Sequence, residues 1–350
     1  MFQTGYILCR RDDAIWFLAL PFAAIAVALA IQHWLPAIAL VSITLLITAP
    51  HHFVTWLRTY GIREERERWK TRLLFGPFIL IAIVTAGVTW APVTLAIFAI
   101  LWDHQHSVMQ QYGFARIYDF KAQTGRPLTP RFDLLLGWFL YINLLITSPL
   151  FTRYWVQELT RWQIPLDTWT IHLVQNISWV ATALFGVVYS VHLIRGVRSG
   201  TKINPVKFVF IGASYLLWYY TSWHTDSILV FGIAHRLMHG LQYIVMVYWY
   251  MRRKTLSNSR DQCLAEKLVT PGWLGRFIVA CLLYAVAVQF LSGQPMERLG
   301  FGLVNASWHV DYGDDYHAYA ESVFSIMALT HYYFDSFIWK VREKSTQSGL

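Results

Sequence analysis

Ten stretches of mostly apolar residues follow one another along the chain, at 14–33, 36–57, 73–90, 92–118, 132–152, 169–194, 207–223, 227–251, 273–292 and 316–339. Between them lie short segments marked by Lys, Arg, Pro or Gly. A helix rises about 1.5 Å per residue, so about 20 apolar residues cross a bilayer. None of the runs shows the strict alternation of a half-buried strand. The pattern therefore predicts an all-α, polytopic integral membrane helix bundle with about ten transmembrane helices, forming a single transmembrane domain over residues 1–350. No internal repeat stands out. Residues 294–315, which mix Gly, Pro and acids with apolar positions, read as an extracytoplasmic loop.

Composition agrees with a lipid setting. The 350 residues are 56% hydrophobic and only 14% charged, against about 25% charged in a soluble domain. This excludes a soluble enzyme with one anchor and any disordered or collagen-like class. The formal charge of +9 does not point to nucleic acid, because the basic residues sit in short loops rather than along one stripe. Their placement instead gives an orientation, since Lys and Arg near helix ends favour the cytoplasmic side. Clusters at Arg10–Arg11, Arg58–Arg72, Arg116–Arg131, Arg195–Lys207, Arg252–Lys267 and Lys340–Lys344 fall on one side, and only Arg153, Arg161 and Arg298 on the other. Both termini are thus expected in the cytoplasm, with the chain multi-pass in an inner membrane if the source is bacterial. Three cysteines, Cys9, Cys263 and Cys281, are too scattered for a disulfide framework or a Cys-based zinc site.

Ionisable side chains inside spans are costly, and each marks a functional candidate. The second span carries His51 and His52, and the fourth carries Asp103, His104, His106 and Gln110. The eighth carries His235 and His239, and the last His331 and Asp335. Counted along the helix to the next cytoplasmic cation, these imidazoles lie about 10–20 Å deep. The spacing i,i+4 of His235 and His239 lets two imidazoles reach one ion, and His331 and Asp335 repeat it. Asp103, His106 and Gln110 share a helix face, whereas His104 points about 160° away from His106. The expected metal ligands are His51, His52, His104, His106, His235, His239 and His331, with His104 serving a second metal or a hydrogen bond elsewhere. Asp103, Gln110 and Asp335 are the expected supporting or catalytic groups. His33, His172 and His192, near span ends, read as hydrogen-bonding residues.

Imidazoles with a few carboxylates suit iron, copper, manganese or zinc, and a site inside the bilayer meets lipophilic substrates. The pieces PHH at 50–52, DHQH at 103–106, HRLMH at 235–239 and HYYFD at 331–335 resemble the membrane non-haem di-iron oxygenases, namely desaturases, hydroxylases and alkane hydroxylases. They are more loosely similar to bacterial carotene-cleaving dioxygenases of the Brp/Blh type. The desaturase pattern also has HxxHH boxes, which this chain lacks. What the resemblance implies is a non-haem iron centre of one or two ions, O2 as oxidant, a lipophilic substrate, surrounding membrane lipids and an external electron donor. Three other readings stay open at this point: a haem-binding electron-transfer protein with pairs among these histidines, a transporter using intramembrane His and Asp, and a metal-independent lipid transferase or hydrolase with His as base and Asp as orienter.

Overall fold

The computed structural model describes all residues except 35, 36, 226, 258–263, 271, 273 and 292–312, and the backbone alone at 37–42, 44, 255–257, 264, 266, 290 and 313–321. The loop expected at 294–315 lies mainly outside the described residues. The described chain is helical, with one isolated bridge between Phe2 and Ile203 and no strand. In order the helices are α1 (Arg10–Trp34, with a π-helical stretch at Ala14–Ala19), α2 (Ala37–Gly61), α3 (Arg63–Arg68) and α4 (Lys70–Trp90). They continue with α5 (Pro92–Ala122), α6 (Thr129–Thr147), α7 (Pro149–Arg161), α8 (Thr168–Arg198) and α9 (Pro205–His224). The last are α10 (Ile228–Ser257), α11 (Leu264–Val269), α12 (Leu274–Leu291), α13 (Gly313–Ile338) and α14 (Lys344–Gln347). Each of the ten expected segments coincides with a helix, most with ends within four residues of those expected. The exception is 132–152, which breaks at Ser148.

Ser148 is extended and its hydroxyl caps Phe151 N–H, while Pro149 starts α7 where its missing N–H costs nothing. The result is a 67° bend between α6 and α7. Among the described residues, four helices (Arg10–Trp34, Lys70–Trp90, Thr168–Arg198 and Ile228–Lys254) are long and apolar enough to cross a membrane, or five if α6 and α7 form one bent span. This is fewer than the ten expected. In α5 the cause is the run Asp103-His104-Gln105-His106; in α9 and α13 it is the density of Tyr, Trp, Ser, His and acids. Those residues lower the apolarity of the helices that carry them.

By its packing the chain divides into two compact units, residues 1–33 with 108–238 and residues 34–107 with 239–350. In the first, α6 packs on α8 and on α9, and α9 also meets α7. Its centre joins the rings of Phe17, Phe114 and Phe210 to a buried ion network. There Lys207 Nζ lies 2.9 Å from Asp119 and 3.2 Å from Asp133, Arg116 pairs with both acids, and Tyr189 donates to Asp133 at 2.6 Å. Two cations against two carboxylates leave this buried network neutral, which limits its desolvation cost.

In the second unit α13 packs on α4 and α2, and α12 on α2. Leu73, Phe334, Phe337 and Ile338 form one buried cluster and Leu80, Val84, Leu95 and Leu329 another. Arg58, fully buried, donates to Ile338 O at 2.7 Å, pairs with Glu65 at 3.6 Å and lies 3.7 Å from the Trp339 ring. It ties the end of α2 to the end of α13. Much apolar surface stays outside: α4 exposes Leu74, Phe75, Phe78 and Ile79, and α8 exposes Ile177, Val180, Leu184, Val187 and Val188.

Candidate metal centre

Close helix contacts in the second unit bring distant histidines together. A Cβ on Gly240 would lie 2.6 Å from Ile47 Cγ2, so only glycine lets α10 approach α2 this closely at the turn that carries His239. A Cβ on Gly76 would meet Tyr333 at 2.3 Å, so α4 and α13 depend on the same device two residues from His331. The outcome is a group of five imidazoles, His51, His52, His106, His239 and His331, each at most 6% exposed. The His51 ring lies 4.4 Å from His331, 4.9 Å from His239 and 6.1 Å from His106, centroid to centroid. His106 lies 4.8 Å from His331 and 5.1 Å from His239, and His52 lies 5.0 Å from His331.

Ligand atoms converge within this group. One nitrogen from each of His51, His106 and His331 falls within 4.8 Å of the others. His331 Nε2 and His106 Nε2 are 3.3 Å apart, and Asp335 Oδ2 lies 3.7 Å from the first and 3.9 Å from the second. Donors bound to one ion at about 2.0–2.2 Å stand roughly 3–4 Å from one another. The two imidazoles and the carboxylate therefore have the mutual separations of a shared coordination shell.

The tautomer of His331 follows from its neighbours. Tyr243 OH donates to Asp335 Oδ1 at 2.5 Å, because a carboxylate only accepts. Thr55 Oγ1, 2.7 Å from Tyr243 OH, donates there and has its lone pairs left for His331 Nδ1–H at 2.8 Å. Trp339 Nε1 adds a donor to Tyr243 OH at 3.3 Å. With the proton on Nδ1, the lone pair of His331 is on Nε2, the atom that faces His106 and Asp335. A ligating histidine commonly gives its other N–H to such an acceptor.

The remaining sequence candidates take other places. Asp103 accepts from Tyr332 OH at 2.7 Å, and the Tyr332 ring stacks on His106 at 4.6 Å, so Asp103 steadies His106 through a tyrosine. His104 is half-buried and belongs to no metal-competent group among the described residues. Gln110 and His235 fall in the first unit. There His235 Nδ1 accepts the Trp218 indole N–H at 2.7 Å, which puts the His235 proton on Nε2 rather than leaving a lone pair there for a metal. Thr55 and Tyr243, central to the site, are absent from the sequence reading. Their signal is spacing: each stands four residues after a histidine, as Asp335 does. Comparison with known protein families, characterised proteins and solved structures gives no match.

Proposed function

We propose that this protein is a membrane-embedded, metal-dependent oxidoreductase that uses non-haem iron and O2 on a lipophilic substrate. The observation that carries the reading is the convergence of His106 Nε2, His331 Nε2 and Asp335 Oδ2 at 3.3–3.9 Å from one another. Two histidines and a carboxylate around open positions suit non-haem Fe(II) that activates oxygen. His51, one of the three converging histidines, with His239 and His52 beside it, extends the donor set for one ion or two. When bound, iron supplies the one-electron and O2 chemistry that no amino-acid side chain offers. The chain's own groups do the rest. Thr55, Tyr243 and Asp335 hold His331 in its ligating tautomer, Tyr332 and Asp103 fix the His106 ring, and burial keeps bulk water from the centre. A reaction consuming reducing equivalents draws them from an external donor.

The crowding of rings favours this over haem. A macrocycle set between His106 and His331 would displace His51, 4.4 Å from His331, and Tyr332, 4.6 Å from His106. The membrane setting is supported by α4 and α8, which expose large apolar side chains along their length, as lipid-facing helices do. Ten spans with both termini cytoplasmic is the topology we propose, on the strength of the loop charges. Membranes containing the protein should take up O2 when given a reductant and a total lipid extract, and those with His106→Ala or His331→Ala should not. Equal uptake by all three would contradict the proposal.

A further inference from the structure

The first unit carries a second feature, unrelated to the histidine cluster. Where α6 and α8 pack, a half-open groove of 720 Å³ runs between apolar walls that include Leu128, Phe132 and Val188, and its rim carries Arg126, His192 and Arg195. The wall on α8 comes from one helix face, since residues 187, 188, 191, 192 and 195 repeat at helical spacing. Phe132 of α6 stacks on His192 of α8 at 4.2 Å and 7°. Arg126 reaches this rim across Gly196: a Cβ there would stand 3.2 Å from Arg126 Cδ, so the glycine makes room for the guanidinium stem beside Arg195.

These two arginines differ from the buried cations of the unit. Arg116 and Lys207, which point inward, are neutralised by Asp119 and Asp133. Among the described residues Arg126 and Arg195 form no ion pair. Two uncompensated guanidinium groups at one end of an apolar groove call for an amphiphile whose head is anionic. Guanidinium binds phosphate in a two-pronged fashion, and the walls below reward a chain that inorganic phosphate does not have. The loop charges put both arginines at the cytoplasmic surface, where anionic lipids collect and where basic pockets between helices hold their headgroups.

We infer that this groove is a specific binding site for an anionic glycerophospholipid, its phosphate held by Arg126 and Arg195 and one acyl chain lying along Leu128, Phe132 and Val188. The site rests on the membrane setting proposed above and not on the metal centre. The test is native mass spectrometry of the detergent-solubilised full chain titrated with phosphatidylglycerol or phosphatidylcholine. Wild type should retain phosphatidylglycerol about tenfold better or more. The Arg126→Gln/Arg195→Gln double variant should lose that preference at unchanged metal content. Gly196→Val, which keeps both charges but pushes Arg126 aside, should weaken it in part. Equal retention of the two lipids by wild type, or a preference that survives in the double variant, overturns the site. A chain that stays monodisperse without detergent and takes up neither lipid overturns the site and the membrane setting together.

Discussion

The hydroxyl of Thr55 is the smallest group on which the metal centre depends. It accepts from His331 Nδ1 and donates to Tyr243, so Thr55→Val, nearly identical in shape, removes one atom's function and leaves a buried N–H without its acceptor. Loss of such an outer partner lowers metal affinity about 10–100-fold. Thr55→Val and Tyr243→Phe should both show that loss in a competition with a chelator, while circular dichroism stays unchanged. His235→Ala should bind metal like wild type, because its Nδ1 is committed to Trp218. Much of this was open to sequence reading. The pairs His51/Thr55, His239/Tyr243 and His331/Asp335 all have the spacing i,i+4, and only the last was read as a pair. A threonine or tyrosine in a span is cheap and common, so nothing in its chemistry singles it out. Conversely, the HxxxH spacing of His235 and His239 suits a shared ion, but spacing cannot report that a tryptophan on another helix has taken one of the imidazole nitrogens.

Helix placement rests on two glycines that periodicity does not reveal. Gly240 and Gly76 admit Ile47 and Tyr333 at distances no Cβ tolerates. Gly240→Val should therefore push α10 from α2 and carry His239 away from His51, at about 1–3 kcal/mol in stability. Gly76→Val should do the same to α4 and α13. The expected readout is a lower thermal midpoint together with a lowered metal content, and a midpoint drop with metal fully retained would separate packing from the site. Apolar runs located the long helices, taking α6 and α7 together as one, since a helix is the natural answer to a long apolar stretch. They missed the break at Ser148, because α7 follows without a polar gap: its capping serine and Pro149 are a helix start signal that lay inside an expected span. They also read Arg58 as a loop cation marking a span end, whereas it is fully buried under Trp339 and Tyr250.

The described residues are helical, without a strand, and fall in two units, one holding a neutral ion network and the other the imidazoles. Buried polar groups beside the apolar clusters, together with apolar residues turned outward on α4 and α8, fit a lipid solvent. The proposed topology predicts that cysteines introduced at Gln123 and Ser199 are labelled from the cytoplasmic side only, and one at Gln163 from the opposite side only. Labelling of all three from one side would refute it. Loop charge suggests an orientation, but it does not say which helices enclose the centre, since adjacency depends on packing that no linear pattern records. The proposed chemistry requires that the imidazole cluster hold a metal. Metal analysis with an optical spectrum of the purified, detergent-solubilised protein tests this most directly. We predict one or two irons per chain without a Soret band, and none in His106→Ala or His331→Ala. A Soret band, or no metal after reconstitution with Fe(II), would contradict it.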